Sequence, residues 1–268
     1  MRKTILAIAL IAAGTAACAA PKPVTPKMNK PYICAHRGAS SGAPENTLAA
    51  FKLAVELGAD AVELDTQLSK DGVPVILHDG AVDRTTNGHG KVRDLTLAEI
   101  KQLDAGSWKS PAFKGEPLPT LESLFRMPRC PFLNVEIKIG NADDDVVKLV
   151  DTVVALIQRY HLQKKLIVSS FSGQALERVH ARDPKIATGY LYGGKTPEKL
   201  PVGITALHPM YTEVTPEFMA FAKGKGLQVN VWTVDSAEEM RRLIALGVGS
   251  IITNVPAQMK DVLSGKAR

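Results

Sequence analysis

Two histidines, His36 and His78, stand near three carboxylates, Glu63, Asp65 and Glu136, and near two fixed cations, Arg37 and Lys138. These residue types suit the cleavage of a phosphate ester. Three carboxylates with no cysteine among them make a hard-cation site, for one divalent ion, Mg²⁺ or Ca²⁺ rather than zinc. Such an ion polarises phosphoryl oxygens and offsets the charge that develops on them. Arg37 can hold two phosphate oxygens at once, and Lys138 adds a point charge. One histidine takes the proton of the attacking oxygen and the other protonates the leaving alkoxide. Each residue alone has a plainer reading. A lone histidine at a strand end is commonly structural, and Glu-x-Asp on a strand is commonly solvated or salt-bridged. The chemistry requires a fold that brings all seven together.

The chain has 268 residues and is 45% hydrophobic, enough for one α/β barrel or two small domains. Short β-rich runs alternate with helical stretches. The candidate strands are 32–36, 61–66, 73–78, 132–139, 166–170, 187–192, 204–208 and 228–234, and the candidate helices are 47–57, 144–159, 172–181, 215–223 and 237–246. Eight strands separated by helices predict a parallel sheet closed into a TIM (β/α)8 barrel. Two places break the rhythm. Ser69-Lys70-Asp71-Gly72 is too short a link to hold a crossover helix, and 80–119 is long and polar, an insertion over one mouth of the barrel. Strand parity then orients the chemistry. In Val62-Glu63-Leu64-Asp65 and in Leu133-Asn134-Val135-Glu136-Ile137-Lys138, apolar and polar residues fall on opposite faces. With helices outside, the polar set points into the lumen and gathers where the strands end, the place of active sites in this fold.

The net charge of +6 is not that of a nucleic-acid binder. Arg2, Lys3, Lys22, Lys27 and Lys30 all precede the first acidic residue, Glu45, and without them the body is close to neutral. The basic start, the short apolar run to Ala13 and the small residues up to Thr15-Ala16-Ala17-Cys18 have the layout of an export signal. The surroundings of Cys18 resemble a bacterial lipobox, with Thr15 where that pattern usually has Leu. The expected organisation is a signal peptide over 1–17, lipidation of Cys18, a Pro/Lys-rich tether over 18–31 and the barrel over 32–268. The protein is then exported and held on a bacterial membrane by its lipid. Ala19 after Cys18 resembles the sorting pattern for the periplasmic side of the outer membrane. Cys34 and Cys130 are too few for a disulfide framework and read as small buried residues.

Taken in order, His36-Arg37-Gly38, Pro44-Glu45-Asn46-Thr47, Glu63-Leu64-Asp65, His78-Asp79, Leu118-Pro119-Thr120-Leu121-Glu122, Val135-Glu136-Ile137-Lys138 and Trp232-Thr233-Val234 resemble the glycerophosphodiester phosphodiesterase family. The resemblance runs from Tyr32 to about Met259. It implies a TIM barrel with a small insertion after the third strand, and hydrolysis of a small glycerophosphodiester to glycerol 3-phosphate and an alcohol. It implies His36 and His78 as the acid/base pair, Glu63, Asp65 and Glu136 as metal ligands, and Arg37 and Lys138 as phosphate contacts. Family members often carry Asp near Gly249 and at position 254, where this chain has Asn254. Phe171 and Trp232 fit either a wall of the glycerol pocket or core packing. Glu45 could orient Arg37, and His208, ending a strand, could approach the site; His89, His161 and His180 read as exposed. Two other functions fit the same pattern: a phospholipase D-like cut of intact phospholipids, and a surface lipoprotein with a binding role. The polar insertion speaks against the first and the complete catalytic set against the second. The oligomeric state stays open.

Overall fold

The computed structural model describes residues 30–139 and 145–266, so the leader, Cys18 and nearly all of the tether lie outside the described residues. Eight parallel strands close on themselves in the order β1 (Tyr32–Ala35), β2 (Ala61–Leu68), β4 (Phe132–Ile137), β5 (Leu166–Ser170), β6 (Ala187–Tyr192), β7 (Ala206–Pro209), β8 (Gln228–Val231) and β9 (Ser250–Thr253), which returns to β1. The helices that cover them are α1 (Leu48–Leu57), α4 (Val146–Arg159), α5 (Gly173–Arg182), α6 (Pro216–Gly224), α7 (Ala237–Leu246) and α8 (Pro256–Leu263). This is the expected (β/α)8 barrel. Among the described residues no helix is long and apolar enough to cross a membrane.

One stave differs from expectation. The run at 73–78 is not a barrel strand: it shortens to β3 (Pro74–Ile76), which pairs antiparallel with the far end of β2, Thr66 opposite Ile76 and Leu68 opposite Pro74. The physical reason lies in the short link. A parallel neighbour needs a crossover of a dozen or more residues, and the few between Leu68 and Pro74 allow only a hairpin. The eighth stave is β9, in the glycine-bounded segment near the C-terminus. The insertion does follow β3. It carries α2 (Leu97–Ile100) and leads into α3 (Leu121–Phe125), and with β3 it builds a small core of its own from Val75, Leu77, Val82, Val92, Ile100, Ala105 and Leu118.

The helix ends follow local chemistry. Thr47 caps α1 by accepting from the Ala50 N–H, and Gly58 ends it in a left-handed conformation (φ 86°) that a Cβ would oppose. Parity holds as predicted. Val62, Leu64, Val135 and Val168 pack outward with Val150, Val153 and Ile157 of α4, while Glu63, Asp65, Asn134 and Glu136 are buried on the other face. The lower lumen is closed by Cys34, Ala61, Ile252 and Phe132. His208 belongs to this lumen and does not line the active cleft. Its Nε2 lies 2.9 Å from Asn230 Nδ2, and burial pushes its pKa down to about 3, so it is a neutral structural ring. Gly189 makes room for it, since a Cβ there would stand 2.3 Å from Nε2. His89 and His161 are exposed as expected, but His180 is half-buried, its ring packed against Gly203.

Candidate active site

The chain turns sharply as it leaves β1. Arg37 adopts a left-handed backbone (φ 54°), uncommon for a residue with a side chain, and the turn aims its N–H at Glu63 Oε2, 2.8 Å away. Gly38 (φ 82°) lets α1 approach: a Cβ there would lie 2.7 Å from the Ala50 carbonyl carbon. Asn46 is also left-handed (φ 59°), and its side chain clasps Asp65, donating to Oδ2 at 2.8 Å and accepting from the Asp65 N–H at 3.3 Å. Two such backbones beside one carboxylate cluster are strain held where function needs it.

Glu63 and Asp65, two apart on β2, share the lumen face, and Asp65 is the register partner of Glu136 on β4. One oxygen from each of the three lies within 4.8 Å of the others, and all three residues are buried. Burial, then the charges of Asp65 and Glu136, push the Glu63 carboxyl well above its ordinary range. Burial and then Asp65 push Glu136 to about 7. The countercharges at hand are Lys138, with Nζ 3.0 Å from Glu136 and 3.5 Å from Asp65, and Arg37, with Nε 3.5 Å from Asp65. Arg37 is shared with Glu45 at 2.7 Å, as the sequence suggested. Three buried carboxylates against two divided cations leave negative charge uncompensated, and the donor set is all oxygen. That arrangement fits a hard divalent cation.

The two histidines reach the cluster by different routes. His36 follows β1 directly. His78 is returned to the rim by β3: the Leu77 N–H donates to the Asp65 carbonyl at 3.1 Å. Gln67 Nε2 pins the segment by donating to the carbonyls of Leu77 (2.8 Å), His78 (3.3 Å) and Asp79 (2.7 Å). Each ring is tied at Nδ1. His78 meets Asp79 Oδ1 at 2.7 Å, and His36 meets Asn254 Oδ1 at 2.7 Å. Asn254 donates its own Nδ2–H to Asp235 Oδ2 at 2.6 Å, and its Oδ1 also accepts from Ser40 Oγ. Asn254 therefore presents its oxygen, so His36 carries its proton on Nδ1 and keeps a lone pair on Nε2 when neutral. Burial, and then Arg37, push the His36 pKa down and favour that neutral ring.

These residues line one cleft of about 170 Å³ at the strand ends. It gathers His36, Arg37, Glu63, Asp65, His78, Glu136 and Lys138, all seven of the residues singled out from sequence. Phe171 and Trp232 line it as well, edge to face with centroids 5.6 Å apart. Phe171 is 49% exposed and stands at the mouth, while Trp232 is half-buried and also packs against Cys34, Ala61 and Ile252, so it serves the cleft wall and the core together. Sequence reading missed several partners. Asn134 and Ser169 also line the cleft, and Asn134 Oδ1 and Ser169 Oγ are buried with no hydrogen-bond partner among the described residues. Asn134 could have been found, two residues before Glu136 on the same strand face. Asn254 follows β9, the stave that was not foreseen, and its position stood out in the sequence only as a departure from the family pattern, with no role in the site.

The sequence pattern of the Glycerophosphoryl diester phosphodiesterase family matches residues 36–258. The chain is 42% identical over 240 residues to a glycerophosphodiester phosphodiesterase of Caldanaerobacter subterraneus subsp. tengcongensis, covering 87% of this chain and 98% of that one. It is 33% identical over 254 residues to a glycerophosphodiester phosphodiesterase of Bacillus subtilis, covering 86% of each. Among solved structures, an Oleispira antarctica phosphodiesterase in complex with the product sn-glycerol-3-phosphate superposes with a TM-score of 0.81 at 32% identity, over 88% of this chain and 97% of that one.

Proposed function

The chain belongs to the glycerophosphoryl diester phosphodiesterase family and is an enzyme of that activity, and we propose that it converts small glycerophosphodiesters to glycerol 3-phosphate and an alcohol with a divalent cation and two histidines. The observation that carries this reading is the buried cluster of Glu63, Asp65 and Glu136 lined into one cleft with His36 and His78. Glu63, Asp65 and Glu136 would hold Mg²⁺ or Ca²⁺, which when bound polarises the phosphoryl oxygens and offsets the charge developing on them. Arg37 and Lys138 hold the phosphate from the same cleft, the first as a fork and the second as a point charge.

His36 is the better base. Its tautomer leaves Nε2 as an acceptor, and its Nδ1 partner is a neutral amide that does not favour a charged ring. His78 is the better acid, because its Nδ1 partner is the Asp79 carboxylate, which offsets a positive ring. His36 takes the proton of the attacking oxygen, and His78 gives its Nε2 proton to the departing alkoxide. Over the full cycle one water is consumed, its OH on phosphorus and its remaining proton on the alcohol. Phe171 and Trp232 face the carbons of the glycerol. The competing functions find less support, since the relatives are named for glycerophosphodiesters. The test is glycerol 3-phosphate release from glycerophosphocholine, glycerophosphoethanolamine and glycerophosphoglycerol, with and without chelator. Release that needs a divalent cation is expected. No release from any of the three, with cation present, would remove the reading.

The same proposal includes export and lipidation at Cys18, with the protein on the periplasmic side of the outer membrane. Support comes from the leader alone: a basic start, a short apolar run and small residues before the cysteine. Cys18→Ser should move the protein from the membrane fraction to the soluble one. Each buried acyl CH₂ contributes about 0.8 kcal/mol, so loss of the chains should be plain in a single fractionation. A mutant that stays in the membrane fraction would contradict the anchor and leave the chemistry untouched.

A further inference from the structure

We propose that Arg84, in the insertion and outside the barrel, is a positioning residue that sets both His78 and Arg37. Its guanidinium bridges two carboxylates. Nε donates to Asp79 Oδ2 at 2.6 Å and Nη2 to Asp79 Oδ1 at 3.2 Å. Nη1 donates to Glu45 Oε2 at 3.0 Å and Nη2 to Glu45 Oε1 at 2.8 Å. Asp79 Oδ1 is the oxygen that meets His78 Nδ1 at 2.7 Å, and Glu45 Oε1 is the one that accepts from Arg37 Nη1 at 2.7 Å. Charges therefore alternate along one ladder: Arg37, Glu45, Arg84, Asp79, His78. Its two ends are the phosphate contact and the acid of the proposed reaction, on which this inference rests.

The insertion holds Arg84 in place. Val82, two residues before it, is buried in the insertion's own core, and its N–H donates to the Gly90 carbonyl at 2.9 Å. Thr86, two residues after, is buried and donates from Oγ1 to the Val82 carbonyl at 2.7 Å. The loop is tied to the barrel beside the site as well, with Lys109 Nζ on the Ser40 carbonyl at 2.8 Å and Glu116 Oε1 accepting from the Ala49 N–H at 3.0 Å. The Arg84 side chain is 44% exposed, and an ion pair that open contributes little to stability. What it supplies is geometry. Without the bridge, Asp79 and Glu45 are two like charges facing each other, each free to rotate away from the group it orients. Burial alone would raise Glu45, yet Arg84 and Arg37 hold it at about 2, and Arg84 before all else holds Asp79 at about 2. Both therefore stay ionised acceptors through the working pH range. Lysine cannot replace this fork, because a point charge serves one carboxylate well and two poorly.

Arg84→Met and Arg84→Lys test the assignment in the full-length, metal-loaded enzyme. Arg84→Met should lower kcat on glycerophosphocholine about 10–100-fold and raise KM, the cost of misplacing groups that must be aligned. With a nitrophenyl ester of glycerol 3-phosphate the leaving group needs no proton, so the kcat loss should shrink to within about threefold while the KM increase persists. Arg84→Lys should fall between the two and, keeping the charge, serves if the methionine variant does not fold. In both variants the melting temperature should stay within a few degrees. The proposal is overturned if folded variants match the parent on both substrates, or if kcat falls equally on both, the mark of general disruption. Failure of the underlying function looks different: the parent itself would release no glycerol 3-phosphate, or His78→Ala would match it.

Discussion

Replacing His36 or His78 with alanine should each lower turnover of a natural glycerophosphodiester by about 10²–10⁴, with little change in cation affinity. The two variants should separate on an activated substrate. A nitrophenolate leaves unaided, so His78→Ala should recover most of its activity there, while His36→Ala should stay impaired on both substrates. The asymmetry follows from what each ring touches. His36 is half-buried, is tied to the Asn254 amide oxygen and has its pKa lowered by desolvation and by Arg37. It is lost as a base only when the pH falls through that lowered value, so the acidic limb of kcat/KM lies below the ordinary imidazole range, near 6.5. The basic limb reports loss of the acid's proton and should be absent for the nitrophenyl ester. Asn254→Asp makes the same point from the other side. A carboxylate beside Nδ1 favours the charged ring, and the acidic limb should move to higher pH. A profile unchanged by Asn254→Asp, or recovery of His36→Ala in place of His78→Ala, would reverse the assignment of base and acid.

The seven residues gathered in the cleft were legible because their signals are local. Glu63-Leu64-Asp65 announces a strand with one apolar and one acidic face, and period-two alternation survives any error in the ends of the strand. Thr47 and Gly58 bracket α1 through backbone chemistry that depends only on near neighbours. The barrel count was reached with one wrong stave. The run around Val75 is as β-rich as any true stave, and only the shortness of its link to β2 distinguishes a hairpin from a crossover. The true stave, Ser250–Thr253, is four buried residues with its two isoleucines side by side, so it shows no alternation. Missing it left Asn254, the residue that follows, as no more than a departure from the family pattern, and hid its contact with His36 and with that the tautomer of the ring. Arg84 was hidden for another reason. Its partner Glu45 is 39 residues away, in a different loop, and no periodicity links two loops that meet only in the folded chain.

Removing the cation should abolish hydrolysis, and Mg²⁺ or Ca²⁺ should restore it better than Zn²⁺, as an all-oxygen donor set requires. Glu63→Gln, Asp65→Asn and Glu136→Gln should each weaken cation binding and lower turnover by about 10²–10⁴, the equivalent of several kcal/mol of lost charge stabilisation. The same cluster should be visible without any substrate. Burial and Asp65 raise Glu136 from 4.5 to about 7 in the folded chain. Between those values the folded state holds a proton that the unfolded state has released. In chelator, stability should therefore fall as the pH rises from about 4.5 through 7, by on the order of 3 kcal/mol for this carboxyl. A bound cation takes the place of that proton. Added Mg²⁺ or Ca²⁺ should then raise the melting temperature little at pH 5 and by about 5–10 °C at pH 8, the shift expected for about 2.7 kcal/mol at a hundredfold excess over Kd. Glu136→Gln removes the charge that both effects depend on, so its stability in chelator should be flatter with pH and its response to cation smaller. Equal stabilisation by cation at pH 5 and pH 8, or full activity in chelator with no metal bound, would mean that the three carboxylates serve the fold and not the chemistry.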